Sequence, residues 1–391
     1  FVPRAMSAEL QLHFDRGTHF WLRGNLARAV KGRHGSAETL LVEQGPMRLM
    51  VKRVQLERKH SGLARATLAS SAFVQAEFSR AATHPNIMQL LDFYIVGASV
   101  CYFVFKVMDS DLETVLLTRA KDNQRLEEPW IARVVGEVAL ALDYLVHFGA
   151  AHNNVSPPNI LLDAEEHVRL TDPQHFGYLC APPGPGKRDP LRQGVRYDAP
   201  EILLGDKPPA STRARKLAGA KADVWSLGCV MFEMAAGRPA FVEETGGDTV
   251  LYQIISTVGA PSPEEASHLQ EIIRREVVFR YSDIGRDFSQ FPVFKRYSEV
   301  FLELLEDMLR FSPFDRPSAA QVWGSTCMAR HCALKQKEYQ AASRPFPEEI
   351  TEELRFTSED YTRRWASDCP VPVATSCLGC LPWSRGSKRH G

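Results

Sequence analysis

The stretch "AHNNVSPPNILL", residues 151–162, decides the fold. It follows "EEPWIARVVGEVALALDYLVHFG", residues 127–149, which opens on acids, sets apolar side chains at Trp130, Val134, Val138, Leu142 and Leu145, and stops at Gly149. That pattern predicts an amphipathic helix with a glycine stop. After the loop comes the short apolar run "ILL", which predicts a strand. The unit is therefore helix, loop, strand. The loop keeps His152 and, seven positions on, Asn159, but the positions between them hold the uncharged Asn154 and Ser156.

Working outward, the first hundred residues read mainly as strands. "HFWLRGNL", "TLLVEQG", "RLMVKRV" and "VCYFVFKVM" are short apolar and β-branched runs bounded by Gly or charge, while "SSAFVQAEFSRAA" has helical composition. From about residue 112 long helices take over, "ADVWSLGCVMFEMAAG" and "SEVFLELLEDMLRF" among them. A small β-rich part followed by a large helical part is the expected plan, and 391 residues are enough for each to bury its own core.

Bulk composition narrows the function classes. Lys and Arg total 47 against 47 Asp and Glu, so no global field favours nucleic acid or an acidic membrane. Eight scattered Cys suit reduced thiols, and with no apolar run of membrane-spanning length the expectation is a cytoplasmic or nuclear protein. The chain opens on Phe1 rather than Met, consistent with a segment preceding it.

Taken in order, Lys52 at a strand end, "THPNIMQLLDFY", "FVFKVMDSDL", His152, Asn159, Asp172, "YDAPE", "DVWSLG" and Arg316 resemble the landmarks of the protein kinase family. "APEILLG", "IISTVGAPSPEE" and "DMLRFSPFDRPSA" narrow the resemblance to the CMGC group, which holds the cyclin-dependent and mitogen-activated kinases. The resemblance implies an α+β, bilobal kinase fold: a small β-rich N-lobe with one regulatory helix and a large α-helical C-lobe. Its expected bounds are an extension over 1–18, a kinase-like domain over 19–333 (N-lobe 19–107, C-lobe 108–333) and a tail over 334–391. It also implies a nucleotide cleft at Gly24, Val30, Lys52, Phe105, Val107, Met108 and Asp111, with Asn159 and Asp172 as ligands of Mg if Mg-ATP binds. Asp223 would anchor the loop backbone, and Glu201 would pair with Arg316.

Phosphoryl transfer is largely positioning and electrostatics, so each part can be checked for the atom that does its work. Asn154 stands where the family has its catalytic Asp, and an amide has no useful basicity near neutral pH. Ser156 replaces the Lys that steadies the transferring phosphate. Leu26 and Ala29 fill two of three phosphate-loop Gly positions, and only a backbone without Cβ lies close over phosphates. The helix partner of Lys52 falls at Gln75, with Glu77 turned about 200° from it. Pro173 and Gln174 follow Asp172, and the preferred register keeps that Asp rather than slipping to "HFG" at 175–177. Between Pro173 and Arg196 there is no Ser or Thr, and the Arg that would grip a phosphate there is Asn153. The losses agree with one another. They imply an inactive kinase-like protein, a pseudokinase, acting as scaffold, allosteric partner or assembly component, with weak ATP binding at most. A slow Ser/Thr kinase with an atypical base, and an ATP sensor without turnover, are the alternatives.

The basic insert over 206–221, "DKPPASTRARKLAGAK", reads as a solvated loop that could meet an acidic partner, and "APPGPGKRDP" as a stiff loop. In the tail, "RPFPEEITEELRF" is expected to add a short helix against the large lobe. Cys377 and Cys380 lack a second pair for zinc, and lipidation there ranks below a disordered or partner-bound tail. Protein partners are expected and nucleic acid is not.

Overall fold

The computed structural model describes residues 26–31, 37–44, 47–55, 84–96, 100–147, 150–171, 195–203, 212–242, 250–259, 288 and 291–331. Strands β1 (Leu26–Lys31), β2 (Ala37–Gln44), β3 (Met47–Gln55), β4 (Leu90–Val96) and β5 (Val100–Lys106) form one antiparallel sheet in the order β1-β2-β3-β5-β4. In β3, Leu49 and Val51 are buried while Met50 and Lys52 are half-buried, the period of two that a pleated strand imposes. β5 lies between β3 and β4 and buries Tyr102, Phe103, Val104 and Phe105 in succession, which is why its sequence is an unbroken apolar run. Register sets Lys52 between Thr39 and Phe103. β4 was not anticipated as a strand, and the expected helix over 70–82 lies outside the described residues.

The second part begins with β6 (Ser110–Asp111) and helix α1 (Leu112–Lys121). β6 pairs with β7 (Ile160–Leu162), which pairs with β8 (Val168–Leu170). Among the described residues the other α-helices are α2 (Glu128–His147), α3 (Pro200–Leu203), α4 (Thr212–Ala236), α5 (Val250–Val258), α6 (Glu299–Met308) and α7 (Ala319–Trp323). α2 buries far more than the expected stripe. Ile131, Val135 and Ala139 join Val134, Val138, Leu142 and Leu145 in the core, whereas Trp130 is half-exposed and donates its Nε1–H to Glu166 Oε2 at 2.8 Å. A helix packed on most sides is apolar on most sides. Gly136 permits that packing, since a Cβ there would stand 2.8 Å from the Trp323 ring.

α4 corrects the reading of the insert. Residues 212–221 are not a loop but the outer turns of a helix that continues through "DVWSLG". Past Pro209 the insert is mostly Ala, Leu, Lys and Arg, all strong helix formers, so its charge and its helix propensity reside in the same residues. Deeper in, α4 buries Val224, Trp225, Leu227, Val230, Met231 and Phe232. Among the described residues no helix is long and apolar enough to cross a membrane.

Candidate functional site

The loop at residues 150–159 is held from below by α4. Asp223, buried within the lobe, accepts the backbone N–H of His152 through Oδ2 and that of Asn153 through Oδ1, both at 2.6 Å. Presenting two successive N–H groups to one carboxylate requires a turn, and Asn153 makes it with φ of 59°. Asn tolerates that left-handed region better than most residues. His152 is buried and fixed at both ring nitrogens. Its Nδ1 accepts the N–H of Asn154 at 3.3 Å, so the ring proton resides on Nε2 and is donated to the carbonyl of Thr171 at 3.0 Å. The imidazole is thereby a brace between the loop and the end of β8.

Asn159 closes the frame. Its Nδ2 donates to the Asn154 carbonyl at 2.8 Å and to Ser156 Oγ at 3.2 Å, and its own carbonyl accepts the Thr171 N–H at 2.9 Å. Inside this frame Asn154 is 7% exposed, and its Nδ2 has no hydrogen-bond partner among the described residues. A buried unsatisfied donor costs about 1–3 kcal/mol. Ser156 is buried as well. At the two positions between His152 and Asn159 that the family gives to an acid and a cation, the chain offers an amide and a hydroxyl. Neither takes a proton at neutral pH, and neither carries charge.

The other expected residues divide into three groups. Phe105 is buried in β5, with Val107 and Met108 half-buried just beyond it, and Lys52 is half-buried on the adjacent β3. Asp111 caps α1: Oδ1 accepts the Thr114 N–H at 2.7 Å and Oδ2 its hydroxyl at 3.1 Å, so any ligand hydroxyl would compete with the cap. Val30 lies in β1 opposite Thr39. Gly24, Gln75, Glu77 and Asp172 lie outside the described residues. Mg takes oxygen ligands that usually include a carboxylate. Of the expected pair, only the neutral Asn159 is described, and among the described residues no cluster of three His, Cys, Asp or Glu could hold a metal.

One node was not anticipated. Glu137, buried in the middle of α2, accepts the Val168 N–H at 2.7 Å and Asn86 Nδ2 at 3.3 Å through Oε2, and its Oε1 lies 3.0 Å from His167 Nδ1. Asn86 belongs to "HPN", and that segment is also stitched to β8: Met88 N–H donates to the Leu170 carbonyl at 2.9 Å and Leu170 N–H to that of Asn86 at 2.8 Å. The strand β4 is thus led out of the helical part by a fixed junction. His84 there packs at a tilt against the Tyr144 ring, its Nδ1 accepts the Asn86 N–H, and burial, followed by the nearby Arg169 charge, pushes its pKa down to about 4. Glu137, set in the apolar run VVGEVALAL of α2, was the signal available for this node.

Below the loop, Arg316 and Glu201 form a two-pronged ion pair, Nη1 to Oε1 and Nη2 to Oε2, both 2.7 Å. The Arg316 side chain is fully buried; it also donates to the carbonyls of Arg310, Phe311 and Lys221 and lies over the Trp225 ring. A five-stranded sheet joined to a helical lobe, with a pinned His-to-Asn loop and this buried pair, defines a protein of the kinase fold. The protein kinase domain family matches residues 31–327, and the chain belongs to it.

Its relatives lie in the group that the motifs indicated. The chain is 30% identical over 250 residues to mitogen-activated protein kinase HOG1 of Wallemia sebi, covering 61% of this chain and 78% of the relative. It is 25% identical over 269 residues to cyclin-dependent kinase 1 of Encephalitozoon cuniculi, covering 69% and 83%. In fold it is similar to the MAP kinase LmaMPK10 of Leishmania major, with a TM-score of 0.60 at 20% identity over 86% of this chain and 94% of that one.

Proposed function

We propose that this chain is a catalytically silent protein kinase domain, a pseudokinase, that acts by binding proteins as a scaffold, an allosteric partner or an assembly component. The observation that supports it most is Asn154. The backbone around it is pinned in place by Asp223, His152 and Asn159, so the loop keeps its form while an amide occupies the proton-acceptor corner. Loss of a general base removes about 10² to 10⁴ in rate, leaving slow turnover from a starting value of about 1–100 s⁻¹. Loss of the Lys at Ser156 and of the Glu at Gln75 compounds it, because each remaining group works only on a phosphate already held in line.

On this reading ATP binds weakly, with Lys52 toward its phosphates and Asn159 and Asp172 as the residues that would hold Mg. The kinase-like domain spans 19–333, flanked by 1–18 and by the tail at 334–391, and the protein works in the cytoplasm or nucleus. Retention of Lys52 and Asn159 is the observation that favours the second reading, slow phosphoryl transfer. Two measurements decide. Thermal melting with ATP, with and without Mg or Mn, reads occupancy, since saturating ligand raises stability by about 2.7 kcal/mol at a hundredfold over Kd; little or no shift is expected. Radiolabelled transfer to a generic substrate and to the chain itself is expected to be absent, and to emerge, if at all, in the Asn154→Asp/Ser156→Lys variant. Labelling by the unaltered chain that Lys52→Met abolishes would overturn the proposal.

A further inference from the structure

The insert over 206–221 concentrates charge of one sign. Lys207, Arg213, Arg215, Lys216 and Lys221 stand against a single acid, Asp206. From Thr212 onward this stretch is the outer end of α4. The amino-terminal turns of a helix carry the positive end of its macrodipole, so cations there are unfavourably placed. No acid in the first turn offsets them. Backbone geometry groups Lys216, Arg213 and Lys221 within an arc of roughly 140°. Lys221 marks where this ridge meets the lobe, for its Nζ donates to the Arg316 carbonyl, and two residues from that contact Phe314 is 63% exposed.

The chain as a whole is neutral, 47 against 47, so an excess at one place is matched by a deficit at another. One such deficit is a short run within the tail, although the tail over 334–391 as a whole holds 9 Lys and Arg against 8 Asp and Glu. Residues 348–360 hold Glu348, Glu349, Glu352, Glu353, Glu359 and Asp360 to the single Arg355, with Ile350, Leu354 and Phe356 among them. The tail departs from a fixed point: His331 Nε2 is 2.8 Å from Glu128 Oε1, at the start of α2. Sixteen residues, 332–347, separate that point from Glu348 and can span roughly 50 Å when extended. Reach therefore does not limit contact across one lobe.

We propose that the acidic segment 348–360 of this chain's own tail docks on the basic outer end of α4, beside Phe314. Acidic side chains there offset both the clustered cations and the helix dipole, and the interleaved Ile350, Leu354 and Phe356 supply apolar contact for the exposed ring. The contact is independent of whether the cleft transfers phosphate. It occupies the ridge that an acidic partner would otherwise use, so such a partner would compete with the tail.

Zero-length carbodiimide crosslinking of the full chain at low salt, read by mass spectrometry, tests this. Lys216 is expected to join Glu352 or Glu353 within one chain, as shown by mixing light and ¹⁵N-labelled protein. The crosslink is expected to be lost in Arg213→Glu and in Glu348→Lys/Glu349→Lys, and to return when the two reversals are combined. It should also vanish from the unaltered chain near 1 M salt, where charges are screened within about 3 Å, a control that requires no substitution. Absence of the crosslink at low salt, its survival in either single reversal, or its formation only between light and heavy chains would each overturn the proposal, the last by assigning the ridge to a second copy.

Discussion

Replacing Glu201 by Gln keeps the shape of that side chain and removes one charge. The structure indicates why that change is costly. The guanidinium of Arg316 has no exposure to solvent, and all of its donors are spoken for: Nε on the Arg310 carbonyl, Nη1 on Glu201 and Lys221, Nη2 on Glu201 and Phe311. Only Glu201 supplies negative charge among these partners. Breaking a buried pair by removing one member costs about 3–5 kcal/mol, because the other charge stays behind uncompensated. Against a total stability of about 5–15 kcal/mol, that is a large share. The assay is urea unfolding of the full chain followed by far-UV circular dichroism, where an unchanged slope with a lowered midpoint signals lost stability rather than a changed unfolded state. The paired variant Glu201→Leu/Arg316→Met removes both charges and is expected to lose less than the sum of the two single changes. A loss below about 1 kcal/mol for Glu201→Gln, or strict additivity in the pair, would refute the reasoning that burial makes this bridge one unit.

Gly136→Ala gains about 1 kcal/mol in helix propensity but drives a methyl to 2.8 Å from the Trp323 ring and 3.0 Å from Met328 Sδ, an overpacking cost of about 1–3 kcal/mol; a net loss is expected, larger for Gly136→Val, read as a lowered urea midpoint. His84 is held neutral by burial and by Arg169, its pKa at about 4 against an ordinary 6.5, so protons favour the unfolded chain below 6.5. Its share of stability is full above pH 6.5 and is lost as pH falls toward about 4. By pH 5 the loss is about 2 kcal/mol, and His84→Gln is expected to flatten that part of the stability profile.

Most of the frame could be read from the resemblance to the kinase family. Asp223, Glu201 and Arg316 sit in short motifs that resemble kinase landmarks, and each is found making the bond that the resemblance implied. The Asn154 and Ser156 positions were equally legible, because the substitutions fall between two retained landmarks, His152 and Asn159. What escaped was of two kinds. The helical state of residues 212–221 was hidden because charge density suggests a solvated loop, whereas Ala, Leu, Lys and Arg also make good helix, and the following core turns of α4 nucleate it. The Glu137 node escaped because its partners, Asn86 and Val168, come from distant parts of the sequence and nothing local marks them as a set.

The continuity of α4 has a mechanical consequence. Twenty-five residues make a rod about 37 Å long, and Asp223 lies only about three turns in from its outer tip. The carboxylate that grips the 151–159 backbone is therefore rigidly coupled to the surface end of the same rod. A load on that tip therefore acts on the same rod that carries the grip, at a distance from the loop itself.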